Sequence, residues 1–142
     1  MTILDRTRSG DPILDEELVK DYLDEIARVG YTPSDDEAAL ARALDDGVYY
    51  ILERTHQRAV PAPLRSYVIE LAMGKYLLAR IKGREIPKDF DFPRAVRTLK
   101  EGGDEITFAD NSSDEDRFTA YVEHYAKGGD GRWLYYRRIN WT

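Results

Sequence analysis

Between Leu14 and Gly83, apolar residues recur every three or four positions, the period of an α-helix face. Pro61–Gly83 is the densest stretch. Leu64, Tyr67, Val68, Leu71, Ala72 and Leu78 share one side of its helix, and Ile69, Met73, Tyr76, Leu77 and Ile81 share the other. A helix apolar nearly all round is buried against neighbours on more than one face. Pro61 and Pro63 stand at its entrance, where a missing N–H costs little, and Gly83 stands just past its end. Gly74 costs about 1 kcal/mol mid-helix against alanine, which a close approach by another backbone would offset. The stretch predicts the central post of a small helical bundle.

Two amphipathic helices precede it. Asp11 and Pro12 have the chemistry of an N-cap and a first helical position. Leu14, Leu18, Val19, Tyr22, Leu23 and Ile26 come next at helical spacing, and Gly30 predicts a stop. Asp15, Glu16 and Glu17 crowd the first turn, where the helix dipole favours them. Ser34 and Glu37 have capping-box spacing. Leu40, Leu44, Val48, Ile51 and Leu52 then make a stripe that runs to Thr55, leaving Asp35, Asp36, Arg42, Asp45 and Asp46 for the solvent side. The short connection into Pro61 makes this helix antiparallel to the central one. Residues 1–13 read as a flexible N-terminal segment.

Beyond Gly83 the texture changes. Ile86, Phe90 and Phe92, set between Pro87 and Pro93, predict a loop pinned to the core by aromatic rings. Arg94–Lys100 predicts a short helix with Ala95, Val96 and Leu99 inward. Glu105–Ala109 alternates at period two and predicts a short β-strand. Asp110-Asn111-Ser112-Ser113 is turn chemistry, with Ser113 or Asp114 able to cap the next helix. Glu115–Lys127 predicts that final helix, with Phe118, Tyr121, Val122 and Tyr125 on one face, and Gly128-Gly129-Asp130-Gly131 a flexible hinge. The expected fold is mainly α. One bundle domain spans 14–127 around a long central helix, with a short strand or loop excursion and an extended tail over 128–142.

Composition narrows the chemistry. A chain of 142 residues is long enough to bury one core unaided. With no cysteine, disulfides, thiolate metal sites and cysteine nucleophiles are excluded. The longest apolar run falls far short of a membrane span, and the first ten residues lack a signal-peptide core. A soluble protein made in the cytoplasm is expected. A net charge of −6 argues against a protein that grips nucleic acid. His56 and His124 have no ligand-spaced partners. The acid clusters Asp35-Asp36-Glu37 and Asp114-Glu115-Asp116 stand at helix starts, where the dipole accounts for them. The glycine pairs lack the lysine of a phosphate loop. No catalytic residue, metal ligand or cofactor site is expected, and no enzyme.

The C-terminal eleven residues differ from the rest. Arg132-Trp133-Leu134-Tyr135-Tyr136-Arg137-Arg138-Ile139-Asn140-Trp141-Thr142 holds both tryptophans, three arginines and no acid. Trp, Tyr and Arg dominate the energetics of protein interfaces. Three readings stand side by side. The tail is a strand closing the protein's own core, a tether docking on another chain, or a stacking platform for nucleic acid.

The order of elements adds a resemblance. A helix ending Ile51-Leu52-Glu53-Arg54-Thr55 leads through prolines into Val68-Ile69-Glu70-Leu71-Ala72-Met73-Gly74-Lys75-Tyr76-Leu77-Leu78-Ala79-Arg80. The segment Gly103–Ser113, the helix of Tyr121-Val122-Glu123-His124-Tyr125 and the basic tail come after it. Over most of Leu14–Ile139 this resembles the head–tail connector (head completion, adaptor) proteins of long-tailed double-stranded DNA phages and prophages. The resemblance implies a structural virion protein that assembles as a ring under the portal. It would extend the DNA channel without specific DNA binding and give a platform for the next head-completion or tail protein. Its place would be the head–tail junction of a virion made in the bacterial cytoplasm. The partner-binding residues expected on this basis are Arg132, Trp133, Leu134, Tyr135, Tyr136, Arg137, Arg138, Ile139 and Trp141. Glu105, Ile106, Thr107 and Phe108 would be an inter-subunit strand, because a lone short strand needs a partner. The alternatives are a stand-alone helical interaction module or small regulator docking through its tail, and a nucleic-acid-binding accessory protein.

Overall fold

The computed structural model describes residues 2–34 and 36–138. Among them lie six α-helices: α1 (Ile3–Arg6), α2 (Glu16–Val29), α3 (Glu37–Thr55), α4 (Arg65–Lys82), α5 (Phe92–Lys100) and α6 (Asp114–Ala126). Two 3-10 helices, Ala62–Leu64 and Arg132–Tyr136, lead into α4 and succeed α6. The fold is mainly α. Three helices, α2, α3 and α6, pack against α4, whose side chains from Tyr67 to Gly74, Glu70 excepted, are buried, as are Tyr76 and Leu77. Length does not single α4 out, since α3 has 19 residues to its 18.

Two glycines let these helices approach closely. A β-carbon at Gly74 would lie 2.5 Å from the Ala126 nitrogen and 2.8 Å from the Tyr125 carbonyl carbon, so the end of α6 rests directly on the α4 backbone. At Gly47 a β-carbon would meet Leu71 Cβ and the Val68 carbonyl at 3.5 Å, ordinary packing distance. Gly74 is the tighter constraint, and the approach of α6 there accounts for a glycine in mid-helix.

The aromatic loop predicted after Gly83 is present. Phe90, Phe92 and Phe118 meet with ring centroids 5.0–5.6 Å apart, joining the loop and α5 to α6. Asp91 caps α5 by accepting the Arg94 N–H at 3.1 Å, so this helix starts two residues before the expected Arg94. Ser113 caps α6, as its turn chemistry suggested.

Four expectations are corrected. The N-terminal stretch is not irregular throughout: α1 carries a capping box between Thr2 and Asp5, and Ile3 is buried. The backbone N–H groups of Arg8 and Ser9 donate to the Asp45 carboxylate at 2.9 and 3.0 Å. Asp45 is therefore buried under this segment and does not face solvent. Second, Asp15 rather than Asp11 caps α2, accepting the Leu18 N–H. Asp11 accepts from Ile13 and from Val60, tying the N-terminal turn to the entrance of α4. Third, Ser34 and Glu37 do not form a capping box, and the Asp36 side chain caps nothing. Its carboxylate accepts the Tyr76 hydroxyl at 2.6 Å and faces Arg80 at 3.5 Å. Asp35, expected on the solvent side, lies outside the described residues.

The fourth concerns Glu105–Ala109, which is no strand. Among the described residues it has no neighbouring strand and no ladder hydrogen bonds. An isolated extended piece of this length lacks the pairing that defines a sheet.

Packing of this kind sets the cost of substitution. Leu71, fully buried between α3 and its neighbours, costs about 2–5 kcal/mol when truncated to alanine. Arg65→Ala costs at most about 1 kcal/mol, since Arg65 only forms a surface pair with Asp21 at 2.7 Å. Gly74→Ala destabilises by about 1–3 kcal/mol through overpacking against α6, reversing alanine's usual helix advantage; a denaturant series checks all three. Alkali provides a second test. Burial, then the nearby Asp104 charge, pushes the Tyr125 phenol up to about 12. A raised folded value means the contribution is complete below the unfolded value near 10 and is lost as pH rises through the folded value. Melting temperature should therefore fall between about pH 10 and pH 12, and less steeply in Tyr125→Phe.

Candidate functional site

The expected binding tail begins at a turn the sequence marked only by its glycines. Gly128, Gly129 and Gly131 all have positive φ, +118°, +55° and +72°. The turn is clamped from both sides. The Tyr67 hydroxyl donates to the Gly128 carbonyl at 2.5 Å, and the Tyr50 hydroxyl donates to the Lys127 carbonyl at 3.2 Å. Gly128 is buried, and a β-carbon there would collide with the Tyr50 hydroxyl. These bonds hold a seat for the C-terminal 3-10 helix, where a free hinge was expected. Burial, then the neighbouring Tyr50 and Asp130, holds the Tyr67 phenol far above the ordinary tyrosine value. It stays a neutral donor.

Arg132 is the root of the tail. Its guanidinium pairs with Asp130 at 3.0 Å and with Glu70, bonds Ser66 Oγ at 3.3 Å, and lies 5.0 Å over the Tyr67 ring. Glu70 stands four residues after Ser66 and three after Tyr67, so one face of the start of α4 holds it. Desolvation pulls the Arg132 pKa down, the cost of half-burying a guanidinium.

The 3-10 helix then divides its side chains. Trp133 and Tyr136 pack partly buried on the core. Gln57 Nε2 donates to the Tyr136 carbonyl at 2.8 Å, and the Arg138 N–H donates to the Thr55 carbonyl at 2.7 Å. The end of α3 thus holds the far side. Leu134 is 58% exposed and Tyr135 88% exposed, and Arg137 and Arg138 also face solvent. Ile139 and Trp141, also named from the sequence, lie outside the described residues.

The second predicted site sits on α6. Glu105 and Thr107 are exposed, while Ile106 and Phe108 are half-buried against the core. Phe108 meets the Tyr121 ring at 5.5 Å and lies under the Arg117 guanidinium at 5.5 Å. His124 Nε2 and Asp104 Oδ2 are 2.8 Å apart and pin the segment's start. The period-two alternation survives without a sheet, since Ile106 and Phe108 are half-buried against the core while Glu105 and Thr107 stay exposed.

Neither histidine joins a metal cluster: among the described residues no three His, Cys, Asp or Glu groups gather in ligand range. His56 caps the end of α3 in the left-handed region at φ +57°. The support of the tail is the part that sequence reading missed. Tyr50 lay outside the apolar stripe of α3, and Tyr67 was read only as core. Asp45 was detectable, since it stands four residues after Ala41 and three before Val48, on the buried stripe. No protein-family model, curated protein or solved structure matches the chain.

Tyr67→Phe should cost about 0.5–1.5 kcal/mol, one hydrogen bond, because Gly131 N–H still donates to the Gly128 carbonyl. Gly128→Ala should cost more, combining strain at positive φ with the Tyr50 clash. Thermal melts giving the reverse order would remove the clamped turn.

Proposed function

We propose that this protein is a structural head–tail connector subunit of a long-tailed phage or prophage. It assembles as a ring under a portal and offers a platform to the next head-completion or tail protein. The observation that carries the reading is the anchored tail. Leu134 and Tyr135 project into solvent beside Arg137 and Arg138, from a 3-10 helix held at its root by α4 and at its end by α3. Aromatic and arginine side chains presented from a fixed turn give contact area at little entropic cost. A scaffold that carries a partner's load needs that contact to be preformed. The order of elements, from the proline-led helix to the basic aromatic end, supports the same reading.

In the assembled particle, Glu105–Phe108 is the second contact. Its unpaired backbone groups are open to a neighbouring subunit. The acidic body suits a channel wall past which DNA moves, since a net charge of −6 repels phosphates. The protein would act at the head–tail junction of the virion after synthesis in the host cytoplasm.

Leu134→Ala/Tyr135→Ala tests the reading with little risk to the fold, as both side chains are exposed. The variant should melt as the wild type does. Its affinity for the portal of the phage that encodes it should fall at least tenfold, the loss of about 1.4 kcal/mol or more expected when interface anchors are truncated. Unchanged capture by the portal would exclude this segment as the contact. Failure of wild-type protein to bind any portal or neck component would sink the connector reading itself.

A further inference from the structure

The extended segment after α5 has ordered side chains but no backbone partner. From Asp104 to Ala109, half-buried and exposed residues alternate without a break. The chain therefore runs as a strand does, with Ile106 and Phe108 on the core and Glu105, Thr107 and Ala109 outward. Yet no backbone N–H or C=O from Asp104 to Phe108 meets another backbone group among the described residues. Such a row of open donors and acceptors is the chemistry that another extended chain recognises. The space beside it is open as well. A groove of about 600 Å³ runs along the segment, bounded by Val96 and Lys100 of α5 and by Arg117 and Tyr121 of α6.

The charges of this groove are unevenly answered. Its cations, Lys100 and Arg117, make no ion pair among the described residues. Arg117 Nε is buried without a hydrogen-bond partner. Of its carboxylates, Asp104 is held by His124 Nε2 at 2.8 Å, and Glu105 is exposed. Lys100 stands at the end where the segment begins, since its carbonyl accepts the Gly103 N–H at 3.2 Å. Arg117 stands at the other end, 5.5 Å over the Phe108 ring. A fitting occupant brings an acid to each end and apolar side chains between them.

We propose that the occupant is the same segment of a second copy, paired antiparallel about a two-fold axis at Thr107. In that register Ile106 lies opposite Phe108 on the face turned to the core, and Thr107 lies opposite Thr107. Aromatic–β-branched and Thr–Thr pairs are favourable across strands. Glu105 falls opposite Ala109, so no two acids are opposed within Glu105–Ala109. The incoming chain brings its Asp110 to the Lys100 end and its Glu105 to the Arg117 end. Neither acid has an ion-pair partner in its own chain among the described residues. Asp110 also comes opposite Asp104, whose carboxylate His124 already holds. Parallel pairing in register would instead set Glu105 beside Glu105 and Asp110 beside Asp110, which like charge disfavours. Pairing of like with like closes at two copies. It deepens the connector reading by naming what meets this segment, and it rests on that reading only for its place in the virion. There it joins two facing subunits, while closure of a ring uses other flanks.

The chain has no cysteine, so single cysteines report the register directly. Glu105, Thr107 and Ala109 are all exposed, and substitution there leaves the core intact. Full-length Thr107→Cys should cross-link to itself under mild oxidation, because opposed Cα atoms lie about 4.5–5.5 Å apart, within disulfide reach. Glu105→Cys and Ala109→Cys should each cross-link at least tenfold more slowly alone, their equivalents standing about 13 Å apart. Mixed with each other, they should cross-link as readily as Thr107→Cys. Sedimentation velocity at up to millimolar concentration gives a second measurement, in which the wild type should dimerise. Thr107→Asp and Thr107→Lys oppose like charges at the axis, and each should dimerise at least tenfold more weakly with its melt unchanged. Their equimolar mixture should recover the dimer. A wild type monomeric at millimolar concentration, equal self-cross-linking of Glu105→Cys and Thr107→Cys, or charged variants that stay apart when mixed would overturn the proposal. Portal capture by the wild type is scored separately. Its absence beside the Thr107→Cys cross-link counts against the connector reading and leaves the pairing standing.

Discussion

The burial of α4 on three sides is the constraint on which the rest of the structure depends. A helix that gives most of its circumference to apolar contact has few positions left for polar work, and those fall at its ends. Ser66, Tyr67 and Glu70 near the start hold the C-terminal turn and Arg132. Tyr76 and Arg80 near the end hold Asp36 and Glu85, and with them the entrance of α3 and the loop after α4. Burial, then the Asp36 carboxylate, keeps the Tyr76 phenol far above its ordinary value, so it too remains a donor. Side chains that look apolar in pattern thus carry the connections through one hydroxyl each. Gly74 completes the arrangement, since α6 lies against the backbone of α4 there and brings Lys127 and Gly128 within reach of Tyr50 and Tyr67.

The helices were readable because apolar periodicity is a strong signal over long segments. The stripe of α3 and the inward face of α6 derive from it, while the approach to α4 and the aromatic loop were legible from Pro61, Pro63, Pro87 and Pro93 and from the rings of Phe90 and Phe92. The features that escaped are places where a polar side chain serves a distant backbone or hydroxyl. Asp11, Asp36 and Asp45 each have the local chemistry of a cap or a solvent residue. Each instead satisfies a group brought near by tertiary packing: Val60, Tyr76, and the N–H groups of Arg8 and Ser9. Local spacing holds no record of such partners. Glu105–Ala109 failed differently. Its alternation reports which side chains are buried, and burial against a helix gives period two as readily as burial in a sheet. The tail shows the same limit, for composition marked it as interactive but not which half faces its own bundle.

That division bears on how an interface is built from so short a segment. Arginine and tyrosine at Arg132 and Tyr136 are used internally, with Trp133, to fix the turn, while Leu134 and Tyr135 between them are left outside. In a 3-10 helix, residues three apart eclipse, so Trp133 and Tyr136 fall on one side and the residues between them on the others. The geometry therefore makes anchoring and presentation inseparable: the bonds that bury one side aim the other. An α-helix of this length would spread its side chains through about 100° steps and give less complete separation, and a flexible tether would lose side-chain and backbone freedom again on each docking event.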